Sequence, residues 1–253
     1  MGHSDWEGVR PVDACCRYDR WGKSLSDVDI RKEGRQHRKK STTGEVMNTV
    51  APVGLPQRIL DFCKKISSDQ PVILSVMPES FSRIAECFDN VASKVEKDGG
   101  EVVHGWLIWD WPGVFTEAEF HAVWKSPEGI IRDVTATYDG EKQVVFLPDP
   151  SRIYQGRRVD SIRVSASDNK MIGDFIKLCE ANYLRFGQIR NGAQLEGHDA
   201  NLYKSFAQAK EFMLSTIRNG ANRNALCACR SGERYKRCHE PKLHHLATAL
   251  IGK

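Results

Sequence analysis

The chain has 253 residues, 40% of them hydrophobic and 28% charged, and a formal net charge of +4. That is the composition of a soluble globular protein long enough for one mid-sized core and a small appendage. No apolar run is long enough to span a membrane, and so small a charge does not by itself mark a nucleic-acid binder.

Residues 1–46 are poor in aliphatics, sustain no period and carry a basic run from Arg31 to Lys40. They predict a flexible basic N-terminal arm. Met47 opens a more regular segment and is a candidate start. An α+β core is expected over 47–220, followed by a metal module over 221–253. Pro56–Ile66 has helical spacing with Pro in its first turn. Val72–Val76 reads as a short buried strand. Ile84, Phe88, Val91 and Val95 recur at helical spacing and predict an amphipathic helix over 82–97, ended by Gly99-Gly100; if the loop from Met77 continues to Glu86, the helix starts at Cys87 instead. Strands are expected near 101–109, 117–125, 130–136 and 143–147, separated by Pro112-Gly113, Pro127-Glu128-Gly129 and Asp139-Gly140. Helices over 168–184 and 200–217 then lead to Arg218-Asn219-Gly220. Helices first and antiparallel strands after them give the α+β class. Trp106, Trp109, Trp111 and Trp124, with Phe115 and Phe120, read as core under the sheet.

The C-terminal segment holds Cys227-Ala228-Cys229, then a spacer containing Ser231-Gly232 and Tyr235-Lys236, then Cys238-His239. Three thiolates and an imidazole are the soft donor set that Zn²⁺ takes in a closed tetrahedral site. Cys227 and Cys229 are too close in sequence to bridge each other without strain, which favours metal ligation in a reducing, cytoplasmic compartment over disulfides. His244 and His245 are alternative ligands, ranked below His239. The spacing resembles the SEC-C motif, the small zinc module found at the C-terminus of the SecA motor, over about residues 222–241. That family usually has Pro where Ala228 stands and Gly where Arg230 stands. The resemblance implies one structural Zn²⁺ on Cys227, Cys229, Cys238 and His239 and a docking surface for a protein partner. Arg230, Arg234, Lys236 and Arg237 would face an acidic patch there, or the phosphates of a nucleic acid.

The middle of the chain places a thiol, an imidazole and a carboxylate in order. Cys87 lies in the predicted helix, His121 in the strand around Glu117–Trp124, and Asp133 after the Pro127–Gly129 turn. Along that strand Glu119, His121 and Val123 share one face and Phe120, Ala122 and Trp124 the other. If the two strands pair as a hairpin, Asp133 can approach His121, whereas a one-residue slip would put it on the wrong face. The order resembles the papain-like and transglutaminase-like thiol enzymes, in His121 with Trp124 and in Gly129 through Asp133 and Thr135. It implies Cys87 as nucleophile, His121 as base and Asp133 as its orienter, serving amide hydrolysis or acyl transfer. Asn90, one turn after Cys87, is a candidate supporting residue. The other reading is a non-catalytic adaptor whose metal module does the work.

Overall fold

The computed structural model describes residues 49–137, 139–189 and 195–252. The basic arm, Met47 and the Cys15-Cys16 doublet lie outside the described residues. In chain order the elements are α1 (Gln57–Cys63), β1 (Val72–Ser75), α2 (Cys87–Asp98), β2 (Glu101–Trp111) and β3 (Phe115–Lys125). There follow β4 (Ile131–Arg132), β5 (Gln143–Pro148), β6 (Ile162–Ser165), α3 (Lys170–Phe186), α4 (Gly197–Arg218), α5 (Tyr235–Cys238) and α6 (Glu240–Ile251). The class is α+β.

β2 and β3 form the spine, an antiparallel hairpin in register from Glu101↔Lys125 to Trp111↔Phe115. Pro112 and Gly113 make its turn, Gly113 at a φ of 73° that an L side chain rarely takes. The strand order is β1-β5-β2-β3-β4, with β6 also on β3, and all the ladders are antiparallel. A parallel bridge from Val76 to Asp133 ties the two ends of that order, with the Asp133 N–H donating to the Ser75 carbonyl at 3.0 Å. The sheet therefore curls back on itself. One face buries Leu74, Leu107, Trp109, Val123 and Phe146; the other packs Trp106, Ile108 and Phe120 against Ile59 and Phe62 of α1. Trp106, Trp109, Trp111 and Trp124 are all buried, but they divide among four clusters instead of sharing one: Trp111 joins the helices, and Trp124 joins Val91 and Val134.

Gly105 marks the tightest crossing, paired with His121 on one side and Pro148 on the other. A Cβ there would collide with the Leu147 carbonyl and stand 2.6 Å from the Phe146 ring. Gly105→Ala is expected to cost about 1–3 kcal/mol, the range for overpacking, as a shift in a urea-unfolding midpoint. An unchanged midpoint would show that the strands separate there freely.

One boundary decides between two sequence readings and another departs from the sequence reading. α2 starts at Cys87, the later of the two starts open to the sequence and not near residue 82, because the Asn90 side chain clamps the preceding loop. Its Oδ1 accepts from the Arg83 N–H at 2.9 Å and its Nδ2 donates to the Arg83 carbonyl at 2.7 Å. Ala85 then takes a φ of 73°, which no α-helix tolerates. The expected strand over 130–136 shrinks to Ile131–Arg132, because from Asp133 the backbone turns to β1.

The C-terminal helices form a second layer. Met171, Phe175, Leu178, Met213 and Ile217 bury their side chains together with Trp111 and Phe115 from the spine. Tyr235, Leu243 and Leu250 join the same cluster, so α5 and α6 share a core with α3 and α4. Arg223 holds Glu240 with both Nε and an Nη at 2.6–2.9 Å, and His244 Nε2 meets Asp174 of α3 at 3.1 Å. Among the described residues, no helix is long and apolar enough to cross a membrane.

Candidate functional site

The C-terminal loop is a knuckle pinned at both ends. A bridge joins Leu226 to Arg234, the Cys227 N–H donates to the Glu233 carbonyl at 2.8 Å, and the Tyr235 N–H donates to the Ala225 carbonyl at 3.0 Å. That brings the two sequence pairs together. Cys227 Sγ lies 3.1 Å and Cys238 Sγ 3.3 Å from His239 Nδ1, and Cys229 Sγ lies 3.5 Å from Cys238 Sγ. All four donor atoms fall within 4.8 Å of one another. A tetrahedral Zn²⁺, with bonds of about 2.0–2.3 Å, needs donors at that order of spacing.

The electrostatics favour ligation at Cys229 and His239 and oppose it at Cys227. The Ser231 hydroxyl and N–H pull the Cys229 thiol down to about 7, while burial pushes Cys227 up to about 11. Burial, helped by the Lys242 charge, lowers the His239 pKa and keeps the ring in the neutral form that ligation requires. The ring stacks on Phe212 of α4, with centroids 4.2 Å apart. His244 and His245 stay outside this group, His244 being held by Asp174. Arg230 sits at a φ of 61°, the left-handed region that glycine favours.

The residues around the α2 N-terminus form a second constellation. Cys87 is the first residue of α2 and fully buried; His121 is 2% exposed and Asp133 is 0% exposed. His121 Nε2 lies 3.0 Å from Asp133 Oδ2, and Asp133 Oδ1 accepts the Thr135 N–H at 2.8 Å. The β3–β4 register of Trp124↔Arg132 sets Asp133 two residues along from His121, so the hairpin gives the parity that the contact needs. Asn90, fixing the loop ahead of Cys87, also donates to Thr135 Oγ1 at 3.1 Å and so links the helix start to the Asp133 strand.

His121 Nδ1, the other ring nitrogen, is buried and meets no aligned hydrogen-bond partner. Burial alone would lower the His121 pKa. The neighbouring Cys87 and Asp133 outweigh burial and raise it well above the ordinary range. The thiol therefore lies within electrostatic reach of the ring. Cys63 and Cys179, by contrast, are pushed up by burial, Cys63 to about 11. Two groups were not legible in the sequence: His104 on β2, also within reach of the Cys87 charge, and Tyr154, stacked on Phe88. An aromatic four strands downstream of its stacking partner gives no pattern to read.

These donors define a metal-binding module of the Cys₃His class on an α+β scaffold. Residues 223–241 match the family model of the SEC-C motif. No curated protein and no solved structure matches the chain.

Proposed function

We propose that this protein is a thiol hydrolase or acyltransferase that a SEC-C-type zinc module docks to a protein partner. The observation that carries the catalytic half is Cys87 at the first turn of a 12-residue helix, coupled to a buried His121 held by Asp133 at 3.0 Å. An imidazole oriented by a carboxylate takes the thiol proton, and the helix N-terminus favours the resulting thiolate. Cys87 Sγ would attack a carbonyl carbon, and His121 would return the proton to the departing amine. The same imidazole would then activate the water or acceptor amine that resolves the acyl-thioester.

Ala85, held at a φ of 73° two residues ahead of the nucleophile, is the kind of backbone strain that collects at such sites. A papain-like or transglutaminase-like arrangement is our reading of the core. Cys227, Cys229, Cys238 and His239 would hold one Zn²⁺ in a structural role, since all four positions are protein atoms. Arg230, Arg234 and Arg237 are exposed beside it, while Lys236 Nζ donates to Asn224 Oδ1 at 3.0 Å. These cations suit an acidic protein surface or nucleic-acid phosphates. Metal-held thiolates fit a reducing cytoplasm.

The complete burial of Cys87 favours one alternative, a core that serves only as a scaffold for the metal module. Iodoacetamide labelling of the zinc-loaded protein, mapped by peptide mass spectrometry, separates the two. Cys87 is expected to label at about pH 6 some 100-fold faster in wild type than in His121→Ala, the ratio set by the thiolate fraction. Equal rates in the two proteins would leave the adaptor reading.

A further inference from the structure

The aromatic groups around Cys87 have no part in the proton chemistry. Phe88, the next residue, lies flat against Tyr154, with ring centroids 3.6 Å apart and planes 2° from parallel. The same Phe88 ring contacts His104 at 6.0 Å and Phe120 at 5.7 Å. Tyr154 belongs to the irregular segment between β5 and β6, which crosses this face as a strap. Its root is fixed by the buried Asp149. The Asp149 N–H donates to the His104 carbonyl at 3.0 Å, and its carboxylate accepts from Trp106 Nε1 at 2.9 Å and from Ser151. Beyond the root, the Arg152 guanidinium lies over Trp106 at 5.4 Å, Ile153 is 69% exposed, and Gly156 turns the chain at a φ of 73°.

Resting on the thiol-enzyme reading, we infer that Tyr154 is a built-in occupant of an aromatic-walled subsite beside Cys87, and that a substrate carrying an aromatic side chain next to its reacting carbonyl takes its place. The walls are Phe88, Phe120 and the half-buried His104. Burial lowers the His104 pKa, so near neutral pH that wall is an uncharged ring. An aromatic ring replaces Tyr154 face to face at little cost, whereas a carboxylate would lose its water against these rings without a partner. Opening takes only the strap tip, because Asp149 anchors the root and Ile153 adds almost no burial to hold the tip down.

The test is alkylation of Cys87 by the chloromethyl ketones of N-acetyl-phenylalanine and N-acetyl-aspartate, read by peptide mass spectrometry. In this reaction the sulfur displaces chloride and a thioether forms. Tyr154→Ala is expected to label about tenfold faster than wild type with the phenylalanine reagent and to prefer it over the aspartate reagent, since reactivity scales with the open fraction. Tyr154→Phe keeps the stack and should match wild type, as should Ile153→Ala. Tyr154→Leu serves if the alanine variant misfolds. Wild-type rates in both stack-breaking variants, or no preference between the reagents, would overturn the inference. Faster labelling of Tyr154→Ala that is unaffected by adding His121→Ala would support the strap while removing the thiol-enzyme reading.

Discussion

Replacing Cys238 with serine is expected to loosen the whole helical layer, not only the metal knuckle. Serine cannot supply a thiolate, so the remaining donors would hold zinc far more weakly. His239 is both a proposed ligand and the residue stacked on Phe212 of α4, and it directly precedes α6. α6 in turn buries Leu243 and Leu250 in the cluster that holds Met171 and Phe175. Structural zinc contributes about 10–16 kcal/mol in small finger peptides. Only the share that positions α5 and α6 reaches the helical layer here, and a loss above about 3 kcal/mol is expected, comparable to a large core truncation. Wild type should show the same loss on treatment with a chelator. Circular dichroism and urea unfolding, with zinc content measured in parallel, would check it. A variant that loses metal yet keeps helicity and midpoint would show that the knuckle is a passenger.

Asp133→Ala is expected to be the most damaging single change in the sheet. The carboxylate is fully buried and divides its two oxygens between His121 and the Thr135 N–H. Removing it strands a buried imidazole that Cys87 already pushes toward its charged form. Breaking a buried charged pair in this way costs about 3–5 kcal/mol. Asp133→Asn keeps the shape and isolates the charge. The folded-state pKa of His121 is raised, so its contribution to stability is full below the ordinary histidine range and fades as pH rises through the raised value. The stability gap between wild type and Asp133→Asn should therefore be wide at about pH 5.5 and narrow as pH rises above the ordinary histidine range toward the raised value, the sign that linkage requires. A gap independent of pH would mean that the charge on His121 adds nothing to this contact.

The sequence made the Cys₃His cluster legible because all four residues sit within one short stretch, where spacing alone dictates proximity. The His121–Asp133 contact was legible for a different reason: strand alternation and a turn at Pro127–Gly129 leave only two parities, and one of them works. The start of α2 was legible only as one of two alternatives. Apolar spacing ran back to Ile84, but the Asn90 side chain competes for the Arg83 backbone and wins, an interaction that no periodicity records. β6 was missed because four residues that are only partly buried or exposed leave no clean alternation. α6 was missed because its buried positions are few, with its register set by α3 and not by its own pattern. Tyr154 is legible only in three dimensions, since nothing local ties it to Phe88.

The bridge between Val76 and Asp133 has one more consequence. Asp133 sits where the ends of the strand order meet, the last place at which a curling sheet can be fastened. Its carboxylate reaches His121 across the β3–β4 hairpin while its N–H is held by the Ser75 carbonyl at the end of β1. The closing of the sheet and the orientation of the His121 ring thus hang on one and the same residue.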